Sequence, residues 1–203
     1  ALILKTAVQG SSYMDRDEII KRITEIKKSV NSKNLPNVYL LHGDFTNGEM
    51  NEIYNHPKVK AMVSFTKGEG FGRPLLEFSL SKKPIISTNW SGHTDFLSTE
   101  FTTLLGGTLK DIHPSAQVKD MLIEGSQWFS PDHGQIGSSL KDMFENYKKY
   151  TDKAKRQAHL SKTMFSFDKM KEVLEEILDK NVPEIAKQVK LELPKLQLPK
   201  LKL

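Results

Sequence analysis

The chain of 203 residues contains no cysteine. Disulfide staples and thiolate metal sites are excluded, and the composition fits a reducing, cytoplasmic setting. No apolar run is long enough to span a bilayer, and no stretch has the layout of a secretory signal. The six histidines and the carboxylates show no short metal-ligand spacing, so no metal is expected. No Ser–His–Asp arrangement can be read from residue order. A broad excess of one charge is missing as well. The net charge is +5, but residues 187–203 hold five Lys against one Glu, so the body before them carries only +1. A nearly neutral body offers no wide phosphate-binding face, and aromatics interleaved with basic residues are absent. Nucleic acid is not an expected partner.

What is present is a globular balance, with 37% hydrophobic and 27% charged residues. The length suits one full domain plus an appendage. Residues 1–180 read as that domain, and 181–203 as a helix remnant and tail. The chain opens at Ala1 and runs at once into Leu2-Ile3-Leu4, a start expected of the interior of a larger protein.

Residues 2–8 read as a strand. Asp15 or Asp17 is placed to cap a helix with Ile19, Ile20, Ile23, Ile26 and Val30 in a stripe. Asn37 to Leu41 is the next strand. A turn at 43–47 leads to a short helix bearing Met50, Ile53 and Tyr54, ended near Pro57. Further strands are expected at 61–65, 84–88 and 102–105. Strands alternating with helices predict an α/β, Rossmann-like parallel sheet with helices on both faces. Ligands of such sheets bind at the carboxyl ends of the strands, where loops 43–47, 67–73 and 90–95 would gather. Residues 106–133 read as irregular, with turns at Gly106-Gly107 and His113-Pro114 and a short strand at Trp128-Phe129. From Ile136 the pattern is helical. The tail repeats Leu-x-Leu-Pro-Lys, which excludes a regular helix and favours an extended segment. Residues 190–203 are either a loose terminus or a weak docking element for a protein or an anionic membrane surface.

The densest signal is Glu69-Gly70-Phe71-Gly72-Arg73-Pro74-Leu75-Leu76-Glu77. The apolar run Ala61 to Phe65 precedes it, and Pro74 suits the first position of a helix. Strand, glycine-rich loop and helix follow in that order. This order aims backbone N–H groups at one spot, which suits an anion such as phosphate. Next come Lys83-Pro84-Ile85-Ile86-Ser87-Thr88 and the turn Trp90-Ser91-Gly92-His93-Thr94-Asp95.

Glu-Gly-Phe-Gly-x-Pro-x-x-Glu, followed by Lys-Pro-Ile-Ile and a Ser-Gly-x-x-Asp turn, resembles the donor-binding half of retaining glycosyltransferases with the GT-B fold, the large family that includes sucrose and mannosyl transferases. The resemblance runs from about Leu35 to Leu178. It implies a UDP-, GDP- or ADP-sugar as donor, metal-independent transfer, no further cofactor, and an N-terminal acceptor-binding domain as partner. By this likeness Glu69 contacts donor-sugar hydroxyls and Glu77 the ribose hydroxyls, whose adjacent pair suits the two oxygens of a carboxylate. Without it, Glu69 reads as a solvated loop carboxylate and Glu77 as an ordinary helix residue.

The remaining assignments are less direct. Gly70, Phe71 and Gly72 supply backbone N–H groups, with the Phe71 ring read as packing. Arg73 is either a phosphate contact or a solvated side chain. Lys67 faces the donor in similar enzymes, and Lys5 ends the first strand; both are candidates to offset diphosphate charge. Gly43 and Asp44 lie in the loop expected to meet the base. Gly92, His93 and Asp95 match a turn near sugar or phosphate, with His93 also readable as a surface residue. The chain departs from the family in lacking the basic Gly-Arg and Glu-Lys-Gly segments that hold the diphosphate. Two other readings stay open: a non-catalytic nucleotide-sugar-binding or docking module, and an epimerase or phosphorylase of the same fold.

Overall fold

Parallel pairing accounts for two of the three sheets in the computed structural model, which describes residues 1–6, 12 and 14–183. The chain is α/β, with helices between the parallel strands. It divides into two compact units, Ala1–Ala61 and Met62–Leu203.

In the first unit, β1 (Leu2–Lys5) and β2 (Val38–Leu41) pair in parallel, with Leu2 opposite Val38 and Lys5 opposite Leu41. The crossover carries α1 (Asp15–Ser29). Its start differs from expectation: neither Asp15 nor Asp17 is the cap residue, since both lie in the first turn. Instead the Asp15 carboxylate reaches back to accept from the Ser12 N–H at 2.7 Å, while the Ser12 hydroxyl accepts from the Met14 N–H at 3.0 Å. Of the isoleucine stripe only Ile19 is buried. α2 (Asn47–Asn55) is opened by a full capping box. The Thr46 hydroxyl accepts from Glu49 N–H, and Glu49 accepts from Thr46 N–H at 2.8 Å. That exchange satisfies two orphan donors and fixes where loop 43–46 ends. It also holds the Glu49 carboxyl below its usual value, the Thr46 backbone bond first and the hydroxyl second.

In the second unit, β3 (Met62–Ser64), β4 (Ile85–Thr88) and β5 (Thr103–Leu105) form a parallel sheet in that order. The strands that the sequence aligns in one sheet thus fall in two. β4 is central and buried at every residue, which is why its run Pro-Ile-Ile-Ser-Thr carries no charge. α3 (Arg73–Ser79) follows β3, and a 3-10 turn, Gly92–Asp95, follows β4. The core of this unit includes Leu75, Phe78, Ile86, Phe96 and Leu105.

The region expected to be irregular holds a two-stranded antiparallel ribbon, β6 (Gly107–Asp111) with β7 (Gln127–Pro131). Gly107 is a strand residue there, paired with Pro131. β7 was legible at Trp128-Phe129, but its partner was not, because every residue of β6 is exposed and no apolar alternation marks it. α4 (His133–Glu145) starts at an Asp132 side chain that accepts from Gly134 and Gln135 N–H. α5 (Tyr147–Met164) and α6 (Phe167–Asn181) complete the helical end. The tail repeat at 190–203 lies outside the described residues. Among the described residues no helix is long and apolar enough to cross a membrane.

Candidate functional site

Two hydrogen bonds lock the loop after β3 to the loop after β4. The Glu69 N–H donates to the Ser91 hydroxyl at 2.7 Å, and the Gly92 N–H donates to the Glu69 carbonyl at 3.0 Å. The backbones touch closely enough that only glycine fits at 92: a β-carbon there would lie 2.1 Å from the Gly70 oxygen. Gly72 has φ +85°, and a β-carbon on it would lie 2.9 Å from His93 Cβ. Both glycines are therefore steric requirements of the clasp.

His93 is the peg beneath it. It is fully buried, so its surface reading does not hold. Nε2 sits 2.6 Å from the Thr88 carbonyl and 3.1 Å from Ser87 Oγ. A carbonyl only accepts, so Nε2 carries a proton. His93 ties the turn to the end of β4. Its Nδ1, with Thr66 Oγ1 and Thr88 Oγ1, is buried without a partner among the described residues. All three belong to the carboxyl ends of β3 and β4 or to the turn that follows, where unsatisfied polar atoms call for an explanation.

Above this base the loop presents its polar groups. The N–H groups of Gly70, Phe71 and Gly72 donate to nothing among the described residues. Further along, Pro74 has no N–H, and Leu75 and Leu76 N–H both bond the Gly72 carbonyl, at 2.9 and 3.2 Å. Any anion would therefore meet the loop rather than the body of α3, which has only seven residues. Glu69 is half-buried. Arg73 and Glu77 engage one another, Nε to Oε1 at 2.6 Å. The Phe71 ring leans on Phe96 at 5.2 Å, and Phe165 lies against both rings. Asp95 is exposed at the end of the turn.

Lys67 heads the loop. Its carbonyl accepts from Phe129 N–H at 3.1 Å, and its ammonium lies over the Trp128 ring at 5.0 Å. Trp90 stacks on Phe129 at 5.9 Å, with the rings nearly parallel. This aromatic group was missed in the sequence. Its signal was that the chain has only two tryptophans, one inside the quoted turn.

Lys5, Gly43 and Asp44 belong to the first unit. Lys5 and the 43–45 loop come together there: the Lys5 ammonium lies 5.4 Å from the Phe45 ring centre. Gly43 and Asp44 line a cavity of about 710 Å³ with Arg16, His42 and Phe45. Gly43 takes φ +102°, which makes that turn. Among the described residues no cluster of His, Cys, Asp or Glu is suited to hold a metal ion. No protein-family model and no curated protein matches this chain.

Proposed function

We propose that the clasped loops after β3 and β4 are the donor site of a retaining glycosyltransferase of the GT-B type, binding a nucleoside-diphosphate sugar. The observation that carries this reading is the Glu69–Gly72 loop. Its backbone is pinned by Ser91 and Gly92, while the N–H groups of Gly70, Phe71 and Gly72 stay open beside the Glu69 carboxylate. Fixed N–H donors suit a diphosphate, and a carboxylate one residue away suits sugar hydroxyls. Glu77, oriented by Arg73, takes the ribose hydroxyls. Lys67 adds the positive charge that a departing diphosphate needs. Transfer also requires an oriented acceptor, assigned here to an N-terminal domain outside this chain.

A thermal-shift screen of UDP-, GDP- and ADP-sugars tests the reading. A ligand at a hundred times its dissociation constant adds about 2.7 kcal/mol to the stability. No shift with any of the three classes would remove the donor site. A shift without product, once an acceptor domain is supplied, would favour a binding module.

A further inference from the structure

Trp90 lies between β4 and the 3-10 turn and is 41% exposed. Its ring stacks on Phe129, with 5.9 Å between the centres and 4° between the planes. At that spacing the stack is offset. Phe129 is buried, and its N–H is tied to the Lys67 carbonyl at 3.1 Å. The backing ring is therefore fixed, and the exposed area of Trp90 lies largely on its other face.

The indole N–H is open too, since it donates to nothing among the described residues. It sits beside the clasp. A β-carbon on Gly68 would lie 4.0 Å from the indole nitrogen and 3.8 Å from Ser91 Oγ, and the residue after Gly68 is Glu69. Ser91, next to Trp90, has φ +74° and ψ −164°, a combination that suits glycine alone. The bonds from Glu69 N–H to Ser91 Oγ and from Gly92 N–H to the Glu69 carbonyl hold it there. Backbone strain of this kind clusters at ligand clamps and active sites.

A backed aromatic face, a free N–H at its edge and a neighbouring carboxylate match one class of ligand. The face of an aromatic ring is electronegative and attracts weakly positive C–H groups, which the apolar face of a pyranose presents. The hydroxyls around that ring both donate and accept. One accepts from the indole N–H while another donates to Glu69. An apolar peptide would also stack, but it would leave both polar groups unmet. A nucleobase stacks as well, but much of its edge is ring nitrogen and carbonyl, acceptors that a carboxylate cannot serve.

We infer that Trp90 is the stacking platform for a pyranose ring, either the sugar of the donor or a unit of a glycan acceptor. The inference rests on the donor-site reading for the role of Glu69, while the platform itself stands on Trp90 and Phe129.

The test uses the full chain with Trp128→Phe, which keeps a ring for Lys67 and leaves Trp90 as the only tryptophan. Its emission is followed during titration with UDP, GDP and ADP, with the glucose and mannose derivatives of each, and with maltohexaose and mannohexaose. Covering the ring should move the emission to shorter wavelength with a sugar-bearing probe, and the bare nucleoside diphosphates should leave it unmoved. A response to the sugar nucleotides puts the donor sugar on Trp90, and a response to the free oligosaccharides puts the acceptor there. With Trp128 restored, Trp90→Ala should weaken the responding probe about tenfold by calorimetry. Trp90→Phe keeps the stack without the N–H and should weaken it about threefold. Its urea midpoint should match that of the parent, which separates lost binding from lost folding. Three outcomes overturn the proposal. One is that no sugar-bearing probe moves the Trp90 emission. Another is that a bare nucleoside diphosphate moves it as far as its sugar derivative, which would put the base on the ring. The third is that Trp90→Ala binds as tightly as the parent. Failure of the donor site reads differently: nucleotides of every kind fail to bind, and the oligosaccharide titrations still decide the platform.

Discussion

Gly92 packs against Gly70 so tightly that a β-carbon on it would fall 2.1 Å from the Gly70 carbonyl oxygen. Gly92→Ala must therefore push the two site loops apart. The N–H donor from residue 92 to Glu69, at 3.0 Å, would lengthen or break, and Glu69 would lose its fixed position. We expect nucleotide-sugar affinity to fall by about 1–3 kcal/mol, the scale of a lost hydrogen bond to a buried or charged group. Isothermal titration with the best donor from the screen measures it. Unchanged affinity would show that the clasp does not position the ligand.

On the proposed donor-site reading, the two glutamates should divide the ligand between them. Glu77→Gln keeps size but weakens acceptance from ribose, so the free nucleoside diphosphate and the sugar nucleotide should both lose about 1–3 kcal/mol. Glu69→Gln should weaken only the sugar nucleotide. Titrating each variant with both ligands separates the cases. Equal losses for both ligands in both variants would end the assignment.

How far the sequence disclosed this site depends on how local each feature is. The apolar runs of β3 and β4, Pro74 at the start of α3 and the turn at Ser91-Gly92 are local, and periodicity and turn chemistry disclosed them. His93 was not disclosed as a core residue. The segment Ser-Gly-His-Thr reads as a surface turn, and only the close approach of Gly70, Gly72 and Gly92 draws the ring under the loops. The Lys67–Trp128 contact joins residues far apart in sequence, and β6 has no apolar pattern to reveal it. The capping box at Thr46 and Glu49 has the local signature Thr-x-x-Glu, inside a segment that also reads as a turn.

Gln157 stitches α5 to the segment after the 3-10 turn. It is 1% exposed. Its oxygen accepts from Ser98 N–H at 2.9 Å, and its amide donates to the Phe96 carbonyl at 2.6 Å and to Ser161 Oγ at 3.0 Å. Gln157→Leu keeps the volume but strands the part-buried Ser98 N–H and the buried Phe96 carbonyl. At about 1–3 kcal/mol for each of the two stranded groups, urea unfolding should show a loss of about 2–6 kcal/mol. The exposed neighbour His159→Gln should change stability by less than about 0.5 kcal/mol. Similar values for the two variants would mean that the Gln157 network carries no weight.

The corner between α4 and α5 should give the chain a pH signature at both extremes. The Tyr150 hydroxyl donates to the Asp142 carboxylate, which also accepts from Asn146 Nδ2 at 2.7 Å. The Tyr150 bond first, and Asn146 second, hold the Asp142 carboxyl below its usual 3.8. Burial first, and then the bond to Asp142, push the Tyr150 phenol from 10.0 up to about 12. The signs are opposite. A depressed carboxyl contributes stability that is present above its unfolded value and is lost as the pH falls through the lower folded value. A raised phenol contributes stability that is complete below its unfolded value near 10 and is lost as the pH rises from there toward 12. Urea midpoints should therefore be taken for the parent and for Tyr150→Phe across the whole range. The difference between the two should be level between about pH 5 and 9, and should shrink toward zero at both ends. Asp142→Asn should shrink the acid arm as well. The alkaline loss should survive in that variant only to the extent that burial alone raises the phenol, because the acceptor oxygen facing Tyr150 is kept while the charge is gone. A parent-minus-variant difference that stays level from acid to alkali would show that this hydrogen bond is not made in solution.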